Sequence, residues 1–378
     1  MTEEIPQKHN PDDKPKRLLS LDTLRGFDMF WIIGGERLFR ALSKATDWKW
    51  ADTWAGQLHH VRWDGFKAYD LIFPLFLFLA GVSIPFAITG KLEKGTSKKS
   101  LYMKIIRRTL LLILIGLIYN GMLKFDWKNL RCASVLGRIA LGYCGAALIV
   151  MNFNIRRQGI WAAGLVLAYW AAMMLLAVPG FKGGDFSMHG SLVGHVDRAF
   201  MPGQLLYRGI HDPEGLLSVI PSISTCLLGV LAGHCLRNRA LSEYKKVLIL
   251  AGSGLLCLLL AKLWSPWNPV NKNLWTGSFV LISGGWSLLL LSLFYLVIDV
   301  WRFKHWTLPF MVIGMNPITI YLLAHKFVNF SLIRDNIFSG CYKLFSKPWL
   351  PVFQAGMLVL VEIIFLYFLY RKKTFLRV

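Results

Sequence analysis

Ten apolar runs punctuate this chain, at about 18–40, 69–89, 106–123, 134–151, 159–178, 215–235, 247–263, 277–299, 307–325 and 349–370. Each is near the ~20 residues that an α-helix needs to cross a bilayer. In hydrocarbon a segment must satisfy its own backbone hydrogen bonds, and runs this long and continuous do so as helices. The reading is therefore all-α: a polytopic membrane helical bundle of about ten transmembrane helices. Composition agrees, because 55% hydrophobic against 17% charged residues leaves too little charge to cover a water-facing globule. A soluble enzyme, a disordered chain and a disulfide-knit secreted module are excluded.

The balance of 43 Lys and Arg against 21 Asp and Glu, +22 overall, would suggest nucleic acid in a soluble chain. Here it is assigned to basic loops, and no nucleic-acid partner is expected. If the N-terminus is cytosolic, segments 1–17, 91–105, 152–158, 236–246, 300–306 and 371–378 lie inside and hold 21 Lys and Arg in 65 positions. The opposite segments, 41–68, 124–133, 179–214, 264–276 and 326–348, hold 15 in 110. The positive-inside rule then places both termini in the cytosol. Residues 1–17 read as a cytosolic tail without a cleavage site, 18–370 as one membrane domain whose first span is the insertion signal, and 371–378 as a basic cytosolic tail. Six cysteines, Cys132, Cys144, Cys226, Cys235, Cys257 and Cys341, stand singly without zinc spacing, so no metal is expected.

Ionisable side chains inside a span are costly and mark a site or pathway. The first run carries Asp22, Arg25, Asp28, Glu36 and Arg37. Arg25 stands three residues from both Asp22 and Asp28, within pairing reach of either. Asp22 and Glu36 return to nearly one helix face about 21 Å apart along the axis. That face is either a polar path through the membrane or two sets of charges snorkelling to water at each end.

Beyond it, in LHHVRWDGFKAYDLIF, His59, His60, Asp64 and Asp70 gather just outside the second span. Histidine can accept a proton near neutral pH, and a neighbouring carboxylate can orient it. Asp212, Pro213 and Glu214 read as the N-cap and first turn of the sixth span, or as an acidic pair that attracts an amine. Gly229 and Gly233 form a GxxxG of the kind that packs helices closely. Asn271, Lys272, Asn273, Trp275, Asn316 and His325 lie in or beside spans, and Pro317 should break the ninth helix.

These residues bring a resemblance into view. SLDTLRG at 20–26, HVRWDG at 60–65 running into YDLIFPLFLFLAG, DPEGLLS at 212–218, NKNLWT at 271–276 and GMN at 314–316 occur in the order and spacing seen in the heparan-alpha-glucosaminide N-acetyltransferase family. The resemblance covers about 17–370 and suggests a bacterial-type member made of the membrane catalytic domain without the extracytoplasmic N-terminal region. It implies a multi-pass protein of the bacterial inner membrane that moves an acetyl group from cytosolic acetyl-CoA to an amino sugar or glycan. The acceptor would lie on the periplasmic or extracellular side. It selects His60 over His59 as the catalytic histidine. Glu36 stands where the animal enzyme has asparagine, and an anion cannot donate the hydrogen bond that an amide could, so Glu36 would be protonated or act differently.

In this reading Asp64 or Asp70 orients His60, and the cofactor threads the bundle along the polar face of the first helix. Asp22 and Arg25, with Arg17, Lys104, Arg107 and Arg108 around the inner end, are candidates for the cofactor's phosphate end. Asp212, Glu214, Lys272, Asn273, Trp275, Asn316 and His325 are candidates for the acceptor. Partners would be acetyl-CoA, the acceptor glycan and the lipid bilayer, with room for a homodimer. A secondary transporter, which would also carry intramembrane charges and a broken helix, is the alternative.

Overall fold

The computed structural model describes residues 18–207 and 209–376. The chain opens with α1 (Leu19–Phe30), a π-helical turn at Trp31–Gly35, α2 (Glu36–Ala45) and α3 (Lys49–Gln57). A 3-10 turn at Ala68–Leu71 leads into α4 (Ile72–Ile84), which a second π-helical turn and α5 (Gly90–Glu93) prolong. There follow α6 (Lys98–Tyr119), α7 (Val135–Asn152), α8 (Ile155–Leu175), α9 (Leu192–Phe200), α10 (Val219–Arg237) and α11 (Glu243–Trp264). The last helices are α12 (Gly277–Tyr295), α13 (Thr307–Met315), α14 (Pro317–Leu322), α15 (Phe330–Phe338) and α16 (Leu350–Arg371).

Seven of these segments are long and apolar enough to cross a membrane: Ala68–Glu93, α7, α8, α10, α11, Gly277–Val300 and α16. This is a polytopic helical membrane protein. The other three apolar runs depart from a plain span, each for a local reason. The first is split at Gly34, whose φ of 151° lies outside the helical region. The run that becomes α6 is 22 residues long, about 33 Å, but five Lys and Arg occupy its first half. The ninth is cut at Asn316, with φ −130° and ψ 46°, because Pro317 brings no amide hydrogen to continue the ladder.

Close helix crossings hold the bundle, the tightest of them among the described residues between α4 and α10 and between α1 and α13. A Cβ on Gly229 would lie 2.0 Å from the Phe78 carbonyl oxygen, one on Gly233 2.5 Å from that of Val82, and one on Gly81 2.0 Å from that of Cys226. Helices α4 and α10 therefore touch backbone to backbone. In lipid, where no hydrophobic drive pulls helices together, such contact supplies dispersion energy that larger residues would forfeit. Gly26 and Gly314 make the same crossing between α1 and α13, with Cβ positions 1.6 Å from the Phe310 oxygen and 1.9 Å from the Asp22 oxygen. Gly229→Leu should destabilise at or above the upper end of the roughly 1–3 kcal/mol typical of overpacking. Gly252→Leu, with open space at its Cβ, should melt in detergent like the parent. Equal melting of the two variants would disprove the crossing.

The connections sort themselves to two ends. At one end Ser20 N–H reaches Asp299 at 3.3 Å, Tyr102 donates to Asn152, His234 meets Gln158, and Arg237 pairs with Glu93. At the other, Asn271 meets Asp64, Arg131 meets Asp212, and Trp63 donates to the Phe186 carbonyl. Segments that the charge bias groups on one side thus meet one another. The functional candidates His60, Asp64, Asp70, Asp212 and Lys272 belong to the second end.

Candidate active site

Between α3 and α4 the chain makes a loop closed through one carboxylate. Asp70 sits fully buried in the 3-10 turn, and its Oδ2 accepts the backbone amides of Lys67 at 3.1 Å and Val61 at 3.4 Å. Its Oδ1 is left for side chains. His60 Nδ1 lies 2.7 Å away, on a side chain that is 52% exposed. Lys272 reaches in from the loop between α11 and α12, with Nζ 3.0 Å from His60 Nδ1, 3.4 Å from Nε2 and 3.5 Å from Asp70 Oδ1. Nδ1 cannot donate to Asp70 and accept from Lys272 at once. The shorter contact, to a buried carboxylate, gives Nδ1 the proton and puts the basic lone pair on Nε2, with Lys272 Nζ beside it at 3.4 Å. Burial holds the Lys272 ammonium below its ordinary pKa, against the opposing pull of Asp70 and Glu214.

The loop that presents Lys272 is fixed on all sides. Asn271 Nδ2 donates to Asp64 at 3.0 Å, and Asn271 Oδ1 accepts from the Leu274 amide at 2.9 Å. Asp64 is thus occupied with Asn271, and Asp70 is the carboxylate on His60. His211 Nε2 meets the Asn273 carbonyl at 3.2 Å, and Tyr169 donates to that of Leu274. Trp275, at φ 54°, turns its indole into the core between Phe73 and Phe279 and donates to Thr225 at 3.1 Å. The ring is thus buried, and Asn273 is 7% exposed with its carbonyl on His211.

Glu36 is joined to this centre by a residue that the sequence reading passed over. Tyr69 lies close to the Glu36 carboxylate, and its ring packs 4.7 Å from that of His60. The only sequence signal was its position directly before Asp70 in the YDL triplet. Arg40 donates to Glu36 at 3.0 Å and also to the Leu58 carbonyl, so the same guanidinium anchors the start of the histidine loop. His59 is exposed.

Asp212 and Glu214 are differently placed from the expected helix start. Helix α10 begins at Val219 after Ser218, because the preceding turn is held by Arg131 instead. Arg131 clamps Asp212 with Nε at 2.8 Å and Nη2 at 2.6 Å and also pairs with Glu214. Asp212 is fully buried, and although burial works to raise its pKa, Arg131 and two backbone amides hold it below the usual carboxylate range. Nearby, Asp197 accepts the Leu216 amide at 2.9 Å and crowds Gly215, where a Cβ would lie 1.8 Å from Oδ2.

Burial pushes the Asp197 carboxyl up to about 6 and the His211 imidazole down to about 4. Unfolded, these groups titrate near 3.9 and 6.5. The Asp197 contribution is therefore full below about pH 4 and lost as pH rises through about 6; that of His211 is full above about 6.5 and lost as pH falls through about 4. The two slopes oppose, each worth roughly 3 kcal/mol across that window. Relative to the parent, His211→Gln should gain melting temperature on acidification from about pH 6.5 to about 4.5, and Asp197→Asn should lose it. Parallel melting curves for all three proteins would contradict this.

Residues 17–194 match a family described as "Domain of unknown function (DUF5009)". Human heparan-alpha-glucosaminide N-acetyltransferase is 30% identical over 422 aligned residues, which take in 96% of this chain and 60% of the human protein. The chain belongs to the heparan-alpha-glucosaminide N-acetyltransferase family. The mouse protein of the same name is 29% identical over 377 residues, with 84% of this chain and 56% of the mouse protein covered. This family member thus spans somewhat more than half the length of the curated relatives it matches.

The remaining candidates in this family member lie away from His60. Arg25 donates to Asp22 at 3.2 Å and to Ser83 at 3.3 Å. Arg108 stacks its guanidinium 4.3 Å over Tyr143, while Lys104 and Arg107 are exposed on α6. Asn316 is buried at the helix break, where its side chain donates to the Thr374 carbonyl at 3.1 Å and accepts the Leu376 amide at 3.2 Å. Arg17 and the His325 side chain lie outside the described residues. A narrow apolar cavity of about 50 Å³ lies between Met29 and Ile32 of the first run, Ile72, Phe73 and Phe76 of α4, and Tyr321. Among the described residues no cluster suited to a metal ion occurs.

Proposed function

We propose that this protein is a transmembrane acetyltransferase that carries an acetyl group from cytosolic acetyl-CoA to the amine of a sugar on the side of His60. In a bacterial inner membrane that is the periplasmic or extracellular side. The observation that carries the reading is the His60 imidazole held at Nδ1 by buried Asp70, which leaves the lone pair on Nε2. The amine nitrogen attacks the thioester carbonyl while Nε2 takes its proton, the carbon–sulfur bond breaks, and CoA leaves as the thiol after receiving a proton. Lys272, with Nζ 3.0 and 3.4 Å from the two ring nitrogens, sets positive charge where the carbonyl oxygen becomes negative. Glu36, already an acceptor for Arg40 and close to Tyr69, serves as the anion that receives the arriving ammonium.

The donor enters from the Arg25 end, where Arg25, Arg108 and the exposed Lys104 and Arg107 provide positive charge for phosphates. Its pantetheine arm parts α1 from α4 along the narrow apolar cavity. Proteoliposomes test the whole reading: acetyl-CoA on one face and glucosamine on the other should give CoA thiol on the donor face and acetylated sugar on the acceptor face. Acetylation only when both substrates share one face would overturn the transmembrane route. No thiol release in any arrangement would overturn the transferase reading in favour of transport.

A further inference from the structure

A cavity of about 370 Å³ opens between the π-helical turn at Trp31–Gly35, the segment Ala324–Ser331 and α16. Its polar lining is Arg37, Lys326, Asn329, Ser331 and Glu362. Glu362 is 2% exposed, and its Oε2 has no hydrogen-bond partner among the described residues. Arg37 and Lys326 are exposed. Arg37 directly follows Glu36 at the start of α2, so the cavity adjoins the candidate active site without sharing its histidine.

A buried carboxylate without a donor is costly, and a ligand that donates to it recovers that cost. A simple cation would meet Glu362 but be repelled by Arg37 and Lys326. A simple anion would meet those two but be repelled by Glu362. A group that carries both signs a few ångströms apart satisfies all three. The cavity has room for about a dozen water volumes, enough for a small head group. Beside it, Phe327, Leu332 and Ile337 are more than half exposed, as residues facing acyl chains at the membrane surface would be.

We propose that this cavity binds a zwitterion, with a primary ammonium on Glu362 and a phosphate on Arg37 and Lys326. An ethanolamine phospholipid headgroup and a soluble amino-sugar phosphate share that chemistry. The site is independent of the transferase reading, and its test reads binding alone. Calorimetry on the purified protein should show phosphoethanolamine binding at least about tenfold more tightly than phosphocholine, whose quaternary nitrogen has no hydrogen to donate. Glu362→Gln and Arg37→Gln should each weaken phosphoethanolamine by a similar factor. If either variant fails to fold, the phosphocholine comparison on the parent protein still decides.

The source is separated in two arms. A higher melting temperature in phosphatidylethanolamine nanodiscs than in phosphatidylcholine nanodiscs, lost in Glu362→Gln, identifies the lipid. Binding of glucosamine 6-phosphate that Glu362→Gln weakens and Glu36→Gln leaves in place, with no difference between the nanodiscs, identifies the soluble ligand. Failure of phosphoethanolamine and glucosamine 6-phosphate alike to bind the parent, or equal binding to Glu362→Gln, overturns the proposal.

Discussion

His60→Ala should keep the folded protein and its affinity for CoA while turnover falls by about 10²- to 10⁴-fold, the range of a positioned general base. The side chain is half exposed and makes its contacts to Asp70, Lys272 and Tyr69 at the rim, so its loss leaves the packed core intact. Asp70→Asn should fall less steeply, because an amide can still hold Nδ1 but presents the wrong charge to the imidazolium that forms. His59→Ala should turn over near the parental rate. Thiol release with glucosamine as acceptor measures all three. Parental turnover in His60→Ala would remove the histidine from the chemistry and make Glu36 the first base to test.

Arg131→Met should cost about 3–5 kcal/mol of stability, because it strands two carboxylates that its guanidinium now serves in a buried place. Asp212 is fully buried and Glu214 nearly so, leaving little water to replace the arginine. The pair Arg237 and Glu93 at the opposite end is 30% and 56% exposed, and Glu93→Gln should cost no more than about 1 kcal/mol. Melting in detergent compares them. A drop no larger for Arg131→Met than for Glu93→Gln would show that the buried cluster is hydrated and replaceable.

What the sequence made legible was whatever follows from local rules. Apolar length and basic bias pointed to the helical membrane class and to the grouping of connections at two ends. The break before Pro317 and the glycine crossing at Gly229 and Gly233 follow from single residues, since a missing amide or a missing Cβ acts where it stands. The pairing of His60 with Asp70 was open to reading because ten residues and one turn separate them. Arg131 was not, since its partners lie 81 and 83 residues away and nothing local marks an arginine that will be buried. The same holds for the start of α10, where proximity rules favoured Asp212 as a cap and a distant cation had already claimed it. Trp275 looked like a binding aromatic, but its left-handed backbone sends the ring inward.

The contact between His60 and Lys272 joins residues 212 apart in the chain, and this sets an order on synthesis. At roughly 5–20 residues per second, His60 leaves the ribosome about 10–40 seconds before the lysine that completes its surroundings. Through that interval the imidazole already has Asp70, so any chain arrested before residue 271 should insert and fold its early helices yet remain chemically silent. Supplying the missing C-terminal portion as a separate polypeptide offers a route to restore the site, with the Asp64–Asn271 contact acting as the clasp between the two pieces.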